Sequence, residues 1–219
     1  MRTILCYGDS NTWGADPISG GRFDRRTRWP GALRGFLNEG RPRGDPAYWI
    51  IEEGLCGRTT CRDDPVEGPR NGLTQILPIL ESHKPLDLVI VMLGTNDLKV
   101  RFAPTAQDIA RGAQRVVQAA LASGTGPDGT APKALMVAPP PVARLSYFRE
   151  MFAGSEEISA RLGARFRQYA AEIGVAFLDA GTVISSSDAD GIHFEADQHR
   201  LLARAVAAEV LNLFGAEPA

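Results

Sequence analysis

The stretch "LDLVIVMLG", residues 86–94, decides the fold. Almost every position is apolar and three consecutive residues, Val89 to Val91, are β-branched. Such a run reads as a strand covered on both faces, because a strand with one wet face alternates apolar and polar residues. Working outward, four more runs of this kind appear: "TILCY" (3–7), "YWIIEEGL" (48–55), "KALMVAP" (133–139) and "VAFLDAG" (175–181). Between them the apolar period lengthens to that of a helix. "WPGALRGFLNE" sets Trp29, Leu33, Phe36 and Leu37 on one face, and "TAQDIARGAQRVVQAALAS" does the same with Ile109, Ala113, Val116 and Ala120. A continuous helix is predicted from Ser155 to Ile173, and a last one from Ala196 to Phe214. Strand then helix, repeated to the end of the chain, predicts an α/β fold: a five-stranded parallel sheet in a three-layer α/β/α sandwich.

The 219 residues suit one domain spanning 1–219, large enough to bury a full core. Lys and Arg number 24 against 26 Asp and Glu, a formal charge of −2, and no block of like charge stands out. Nucleic acid and anionic membrane are therefore not expected partners. No apolar run reaches transmembrane length, and "MRTILCYGDS" has too short an apolar stretch for a signal-peptide core, so a cytoplasmic protein is expected. Cys6, Cys56 and Cys61 form no C-x-x-C pair and are read as free thiols, with no metal site, while Cys56 and Cys61 are near enough in sequence to pair if their loop folds back. "SGTGPDGTAPK" (123–133) contains G-x-G-x-x-G at Gly124, Gly126 and Gly129. That fingerprint must follow a strand and open a helix, whereas this copy follows a helix and leads into a strand, so it is read as a surface loop.

Ligands of open parallel sheets bind beyond the carboxyl ends of the strands. Those ends carry Gly8-Asp9-Ser10-Asn11, Gly54-Leu55-Cys56-Gly57-Arg58, Gly94-Thr95-Asn96-Asp97 and, after the last strand, a short loop with Asp190-Gly191-Ile192-His193. Acyl transfer needs such a set: a hydroxyl nucleophile, a base of near-neutral pKa, and a carboxylate to orient it. Ser10 alone stands directly after a strand at this edge. Among the histidines, His83 ends a helix on the opposite side of the sheet and His199 falls in the first turn of the last helix, where a surface position is expected. His193 has Asp190 three residues before it, within reach of one turn. A tetrahedral oxyanion needs preorganised donors, for which the N–H groups of Ser10 and Gly57 and the Asn96 amide are candidates. Asp97 is read as a helix cap or a loop brace. A carboxylate pair at Glu52 and Glu53 fails, because adjacent strand residues face opposite sides.

Taken together, "GDS" (8–10), Gly57, "GTND" (94–97) and "DGIH" (190–193) resemble the four blocks of the SGNH hydrolase superfamily, the GDSL esterases. "ILCYGDSNTWG", "DLVIVMLGTND" and "DGIHF" are most similar to its bacterial arylesterase and acyltransferase, or perhydrolase-like, subgroup. The resemblance implies the flavodoxin-like strand order 2-1-3-4-5. It implies a cofactor-independent serine esterase of short-chain aryl or alkyl esters, with acyl transfer or perhydrolysis as a side activity. Ser10 would be the nucleophile, His193 the base, Asp190 its orienting acid, and Ser10, Gly57 and Asn96 the oxyanion hole. Asn11 stands where the family name has Leu, and alters packing behind the nucleophile rather than chemistry. Glu53 replaces an Asn usual in the second block, and Gly57 rather than Gly54 is chosen because "GRTT" fits the family pattern. Trp13 and Ile192 are assigned to the substrate-binding mouth, or else to packing between loops.

Three other readings stand beside this one: a carbohydrate O-acetyl esterase, a non-catalytic binding module, and a flavodoxin-type phosphate binder, which lacks a phosphate loop. The expected partner is a small-molecule ester. "PPPVARLSYFREMF" (139–152), with Leu145, Tyr147, Phe148 and Phe152, is read as a core-covering loop or as a subunit interface narrowing the entrance. Oligomerisation in the resembling subgroup makes a homo-oligomer the expectation.

Overall fold

Five strands form where the apolar runs lie: β1 (Arg2–Gly8), β2 (Tyr48–Gly54), β3 (Leu88–Met92), β4 (Lys133–Ala138) and β5 (Ala176–Asp179). The computed structural model describes residues 1–42 and 44–215. All strand pairs are parallel, in the order β2-β1-β3-β4-β5, as the sequence implied. Seven α-helices stand beside them among the described residues, with four short 3-10 turns: α1 (Ser10–Trp13), α2 (Trp29–Leu37), α3 (Gly72–His83), α4 (Ala106–Leu121), α5 (Ser155–Ser159), α6 (Leu162–Glu172) and α7 (Ala196–Phe214).

Alternation within the strands builds two cores. Leu5, Tyr7, Val89, Val91 and Met136 point toward α3, α4 and α6, while Ile4, Cys6, Ile90, Leu135 and Val137 point toward α2 and α7. Every residue of β3 is buried, as its unbroken apolar run required, whereas the edge strand β5 is only half-buried. Sequence also marks where helices begin. Thr105 and Asp108 form a reciprocal capping box on α4, and the Asn71 side chain accepts from the amides of Leu73 and Thr74 at the start of α3.

Register sets the level at which the loops emerge. Gly8 lies opposite both Gly54 and Met92, so the chain leaves β1, β2 and β3 at one height. Gly8 also permits the turn into α1: a Cβ there would lie 2.0 Å from Thr12 Oγ1 and 2.9 Å from the Met92 carbonyl oxygen. The winding reverses between β1 and β3, and the serine follows at that point.

Three expectations need correction. The predicted helix from Ser155 to Ile173 is broken between α5 and α6. Ser159 Oγ donates to the Glu156 carbonyl and accepts the Val142 amide, so its side chain competes with helix continuation while anchoring the segment after β4. His199 is not on the surface but fully buried, wedged between Phe23 and Phe194 with its Nδ1 accepting the Trp29 amide at 3.3 Å. The connection after β5 is not short; it runs from Ala180 to Glu195 and includes a 3-10 turn at Ala180–Thr182.

The G-x-G-x-x-G segment is a self-contained turn, with the Gly126 amide donating to Thr130 and the Gly129 amide to Gly126. Cys6, Cys56 and Cys61 are free thiols. No helix among the described residues is long and apolar enough to cross a membrane.

Phe166 on α6 is fully buried, and its ring packs 3.3 Å from where a Cβ on Gly94 would lie. Phe166→Ala should therefore cost about 3–5 kcal/mol, read as a lower denaturant midpoint at unchanged slope.

Candidate active site

The chain turns sharply after β1, and Asp9 caps α1 by accepting the Asn11 amide at 2.9 Å. This leaves Ser10 at the first helical position, where a backbone N–H has no partner within the helix. Its side chain is 2.9 Å from His193 Nε2. His193 Nδ1 is 2.6 Å from Asp190 Oδ2. A carboxylate accepts only, so the proton sits on Nδ1 and Nε2 is free to accept from the serine hydroxyl. The remaining oxygen, Asp190 Oδ1, accepts the amides of Ile192 at 2.8 Å and His193 at 2.9 Å. Burial alone would raise this carboxyl, but those three bonds outweigh it and hold Asp190 below the usual carboxylate range.

The loops that carry these groups are tied to one another. Asn11 Nδ2 donates to the Ile192 carbonyl at 3.3 Å, so the residue that departs from the family name joins the serine turn to the histidine loop. Ser187 binds the His193 carbonyl through its amide and the Glu195 carboxylate through its hydroxyl. Across the site, Asn96 Nδ2 donates to the Arg58 carbonyl at 3.2 Å, and Asp97 takes both the amide and the hydroxyl of Thr60, at 2.8 and 2.6 Å. Asp97 is thus the loop brace that the sequence suggested. Burial pushes its carboxyl up to about 6 despite the two bonds from Thr60. Asp9 is likewise pushed up to about 6 by burial, against the Asn11 amide and the nearby His193.

Ser10, Gly57, Asn96 and His193 line one cavity of about 350 Å³. Gly57 has φ +82°, a left-handed backbone that favours glycine. Gly54 lies elsewhere, packed under α1 with no room for a side chain beside Trp13 N. Trp13 and Ile192 line the same cavity with Phe148, Met151 and Phe152, while Glu67 and Lys99 supply polar groups. Of the other histidines, His83 ends α3 and contacts Glu53 at 2.8 Å, while His199 is occupied with Trp29. Glu52 faces Arg25 and Arg28. Among the described residues, no cluster of three or more His, Cys, Asp or Glu is placed to hold a metal ion.

Comparison with known proteins meets this geometry from another direction. The model of the GDSL-like Lipase/Acylhydrolase family matches residues 6–201, most of the chain. The chain belongs to the GDSL-like lipase/acylhydrolase family. Its sheet order is that of the SGNH hydrolase α/β fold, and the activity class of this GDSL family member is carboxylic ester hydrolysis. A carbohydrate acetylesterase from Sinorhizobium meliloti is 42% identical, with a TM-score of 0.90 over 98% of this chain and 100% of that one. An aryl esterase from M. smegmatis is 41% identical, with a TM-score of 0.89 over 97% of this chain and 100% of that one. A further carbohydrate acetylesterase family member from Sinorhizobium meliloti is 37% identical, with a TM-score of 0.90 over 98% and 100% of the two chains. No curated protein sequence matches.

Sequence reasoning missed several residues of this GDSL family site. Arg58 is buried, donates to the carbonyls of Gly8 and Glu53, and stacks over Tyr7 at 4.1 Å. It thereby holds the glycine before the Asp9-Ser10 pair while its own carbonyl holds Asn96. Lys99 is 2% exposed and reaches Glu67 at 2.5 Å and Asp64 at 3.4 Å, with Arg101 joining the same carboxylates. Only the clustering of charge in "RDDPVEGPR" and "DLKVR" hinted at this network.

The buried His199 gives a pH test. Burial lowers its pKa to about 4, against about 6.5 for an exposed imidazole. Between those values the unfolded chain binds a proton that the folded chain refuses, so its contribution to stability rises with pH across that window. Lowering the pH from 7 to 5 should therefore destabilise the wild type more than His199→Asn, as measured by paired urea titrations.

Proposed function

We propose that this chain is a serine esterase of short-chain aryl or alkyl carboxylic esters that works through an acyl-enzyme. The observation that carries the reading is the unbroken relay from Asp190 through His193 to Ser10, at 2.6 and 2.9 Å. Ser10 Oγ attacks the ester carbonyl while His193 Nε2 takes its proton, and Asp190 stabilises the imidazolium that forms. The carbonyl π pair moves onto oxygen, where the N–H groups of Ser10 and Gly57 and the Asn96 amide meet the charge. Collapse breaks the bond to the alcohol oxygen, which leaves with the proton from His193. Water, an alcohol or a peroxide then attacks the acyl-serine by the same route in reverse, so acyl transfer and perhydrolysis follow when the acceptor is not water.

Substrate size is set by the cavity of about 350 Å³, whose wall of Trp13, Phe148, Met151, Phe152 and Ile192 suits a small apolar acyl group or an aryl ring. A second reading, carbohydrate O-acetyl esterase, is supported by Glu67 and Lys99, which add polar groups to the same cavity, and by the carbohydrate acetylesterase neighbours. Higher kcat/KM on acetylated oligosaccharides than on p-nitrophenyl acetate would favour it over the first.

Ser10→Ala should lower p-nitrophenyl acetate turnover by at least ~10⁴-fold without changing the thermal midpoint by more than a few degrees. Retained turnover in a folded Ser10→Ala protein would overturn the mechanism.

A further inference from the structure

A second depression, of about 500 Å³, opens beside His193. It is lined by the imidazole and Asp190, by Pro17 and Ile18 of the loop after α1, and by Tyr147 and Phe148. Neither Ser10 nor the candidate oxyanion donors Gly57 and Asn96 face it, since those line the first cavity. Ala15, Gly20, Phe148 and His193 border both, so the two depressions adjoin along these residues, with the base between the acyl-side donors and the loop after α1.

The chemistry assigns the compartments different parts of the ester. The carbonyl oxygen must point at the oxyanion donors, which puts the acyl carbon in the first cavity. The alcohol oxygen must lie within reach of the His193 proton when the tetrahedral intermediate collapses, so the alcohol half extends on the imidazole side. The second depression is the space available there.

Its walls favour one class of alcohol. Tyr147 is 87% exposed and Ile18 76%, large apolar surfaces left to water beside the reacting atoms. Tyr147 packs edge-on against Phe148 with centroids 5.0 Å apart, and Phe148 against His193 at 5.8 Å, a run of rings leading from solvent to the base. The opposite wall is held in place. Asp16 accepts the Ile18 amide and the Ser19 hydroxyl, Ala15 bridges to Arg22, and Arg22 lies over the Trp13 ring while donating to the Trp13 carbonyl. The half-buried Asp16 carboxylate adds a negative charge to this rim, which disfavours negatively charged alcohols.

We infer that Tyr147 and Ile18 form an alcohol-side subsite that binds the neutral aromatic alcohol portion of the ester, separate from the compartment that holds the acyl group. This rests on the serine esterase reading above. Benzyl acetate and ethyl acetate test it, because they share the acyl group and have alcohols of similar reactivity but differ in the ring. Tyr147→Ala should lower kcat/KM for benzyl acetate about 3- to 10-fold, the value of one aromatic contact, while Tyr147→Phe restores it. Ethyl acetate should change less than about twofold, since it offers no ring for that contact. Ile18→Ser should act in the same direction as Tyr147→Ala. Equal losses on both esters, or no loss on benzyl acetate, would overturn the subsite while leaving the serine mechanism standing. Failure of the mechanism itself would show separately, as undiminished hydrolysis by Ser10→Ala.

Discussion

A sheet covered on both faces leaves polar groups only one ordered place to gather, the ends of its strands. Here that constraint acts through register. Gly8 faces Gly54 and Met92 across the central strands, so three loops start at the same height and the serine, the Gly57 loop and the Asn96 loop meet without long excursions. The close approach of Gly8 to Thr12 and to the Met92 carbonyl keeps the serine turn tight against the sheet. A side chain at Gly8 would push α1 away from β3 and carry Ser10 out of line with His193.

Rigidity at this edge comes from buried charge as much as from packing. Arg58 holds the carbonyls of Gly8 and Glu53, and its own carbonyl accepts from Asn96. Asp97 clamps Thr60, and Lys99 and Arg101 are matched by Asp64 and Glu67. Buried ions are expensive when unpaired, and a matched set contributes a fixed geometry more than net stability. Fixed geometry is what an oxyanion site needs, since its donors must be in position before charge develops. Asp64 shows the balance at one residue: burial opposes ionisation, yet the amides of Val66 and Glu67, with Arg101 and Lys99, bring its carboxyl down to about 2.

Much of this was legible in the sequence because it was local. Unbroken apolar runs named the strands, and the helical period named α2, α4 and α7. Ser10 and Asn96 stand in short motifs at strand ends, Asp190 and His193 in one just before α7, and the structure brings all four together. What could not be read depends on partners far apart in the chain. His199 looked like a surface residue because its partner, the Trp29 amide, is 170 positions away. Nothing local marks Arg58, whose anchor at Gly8 is 50 positions back. The break after α5 depends on Val142, 17 positions before Ser159, and helical periodicity carries no trace of it. In the segment 139–152, Leu145 and Phe152 are buried against the core, as a core-covering loop requires, whereas Tyr147 is exposed.

The central claim is that Ser10 is activated by His193 and Asp190 to take up an acyl group. The most direct test is intact-protein mass spectrometry after exposure to a fluorophosphonate, with the labelled peptide sequenced, because only an activated serine beside an oxyanion site reacts readily. The account predicts one adduct per chain, on Ser10, and none in His193→Ala. A folded protein that stays unlabelled, or that carries its label on another residue, would contradict it.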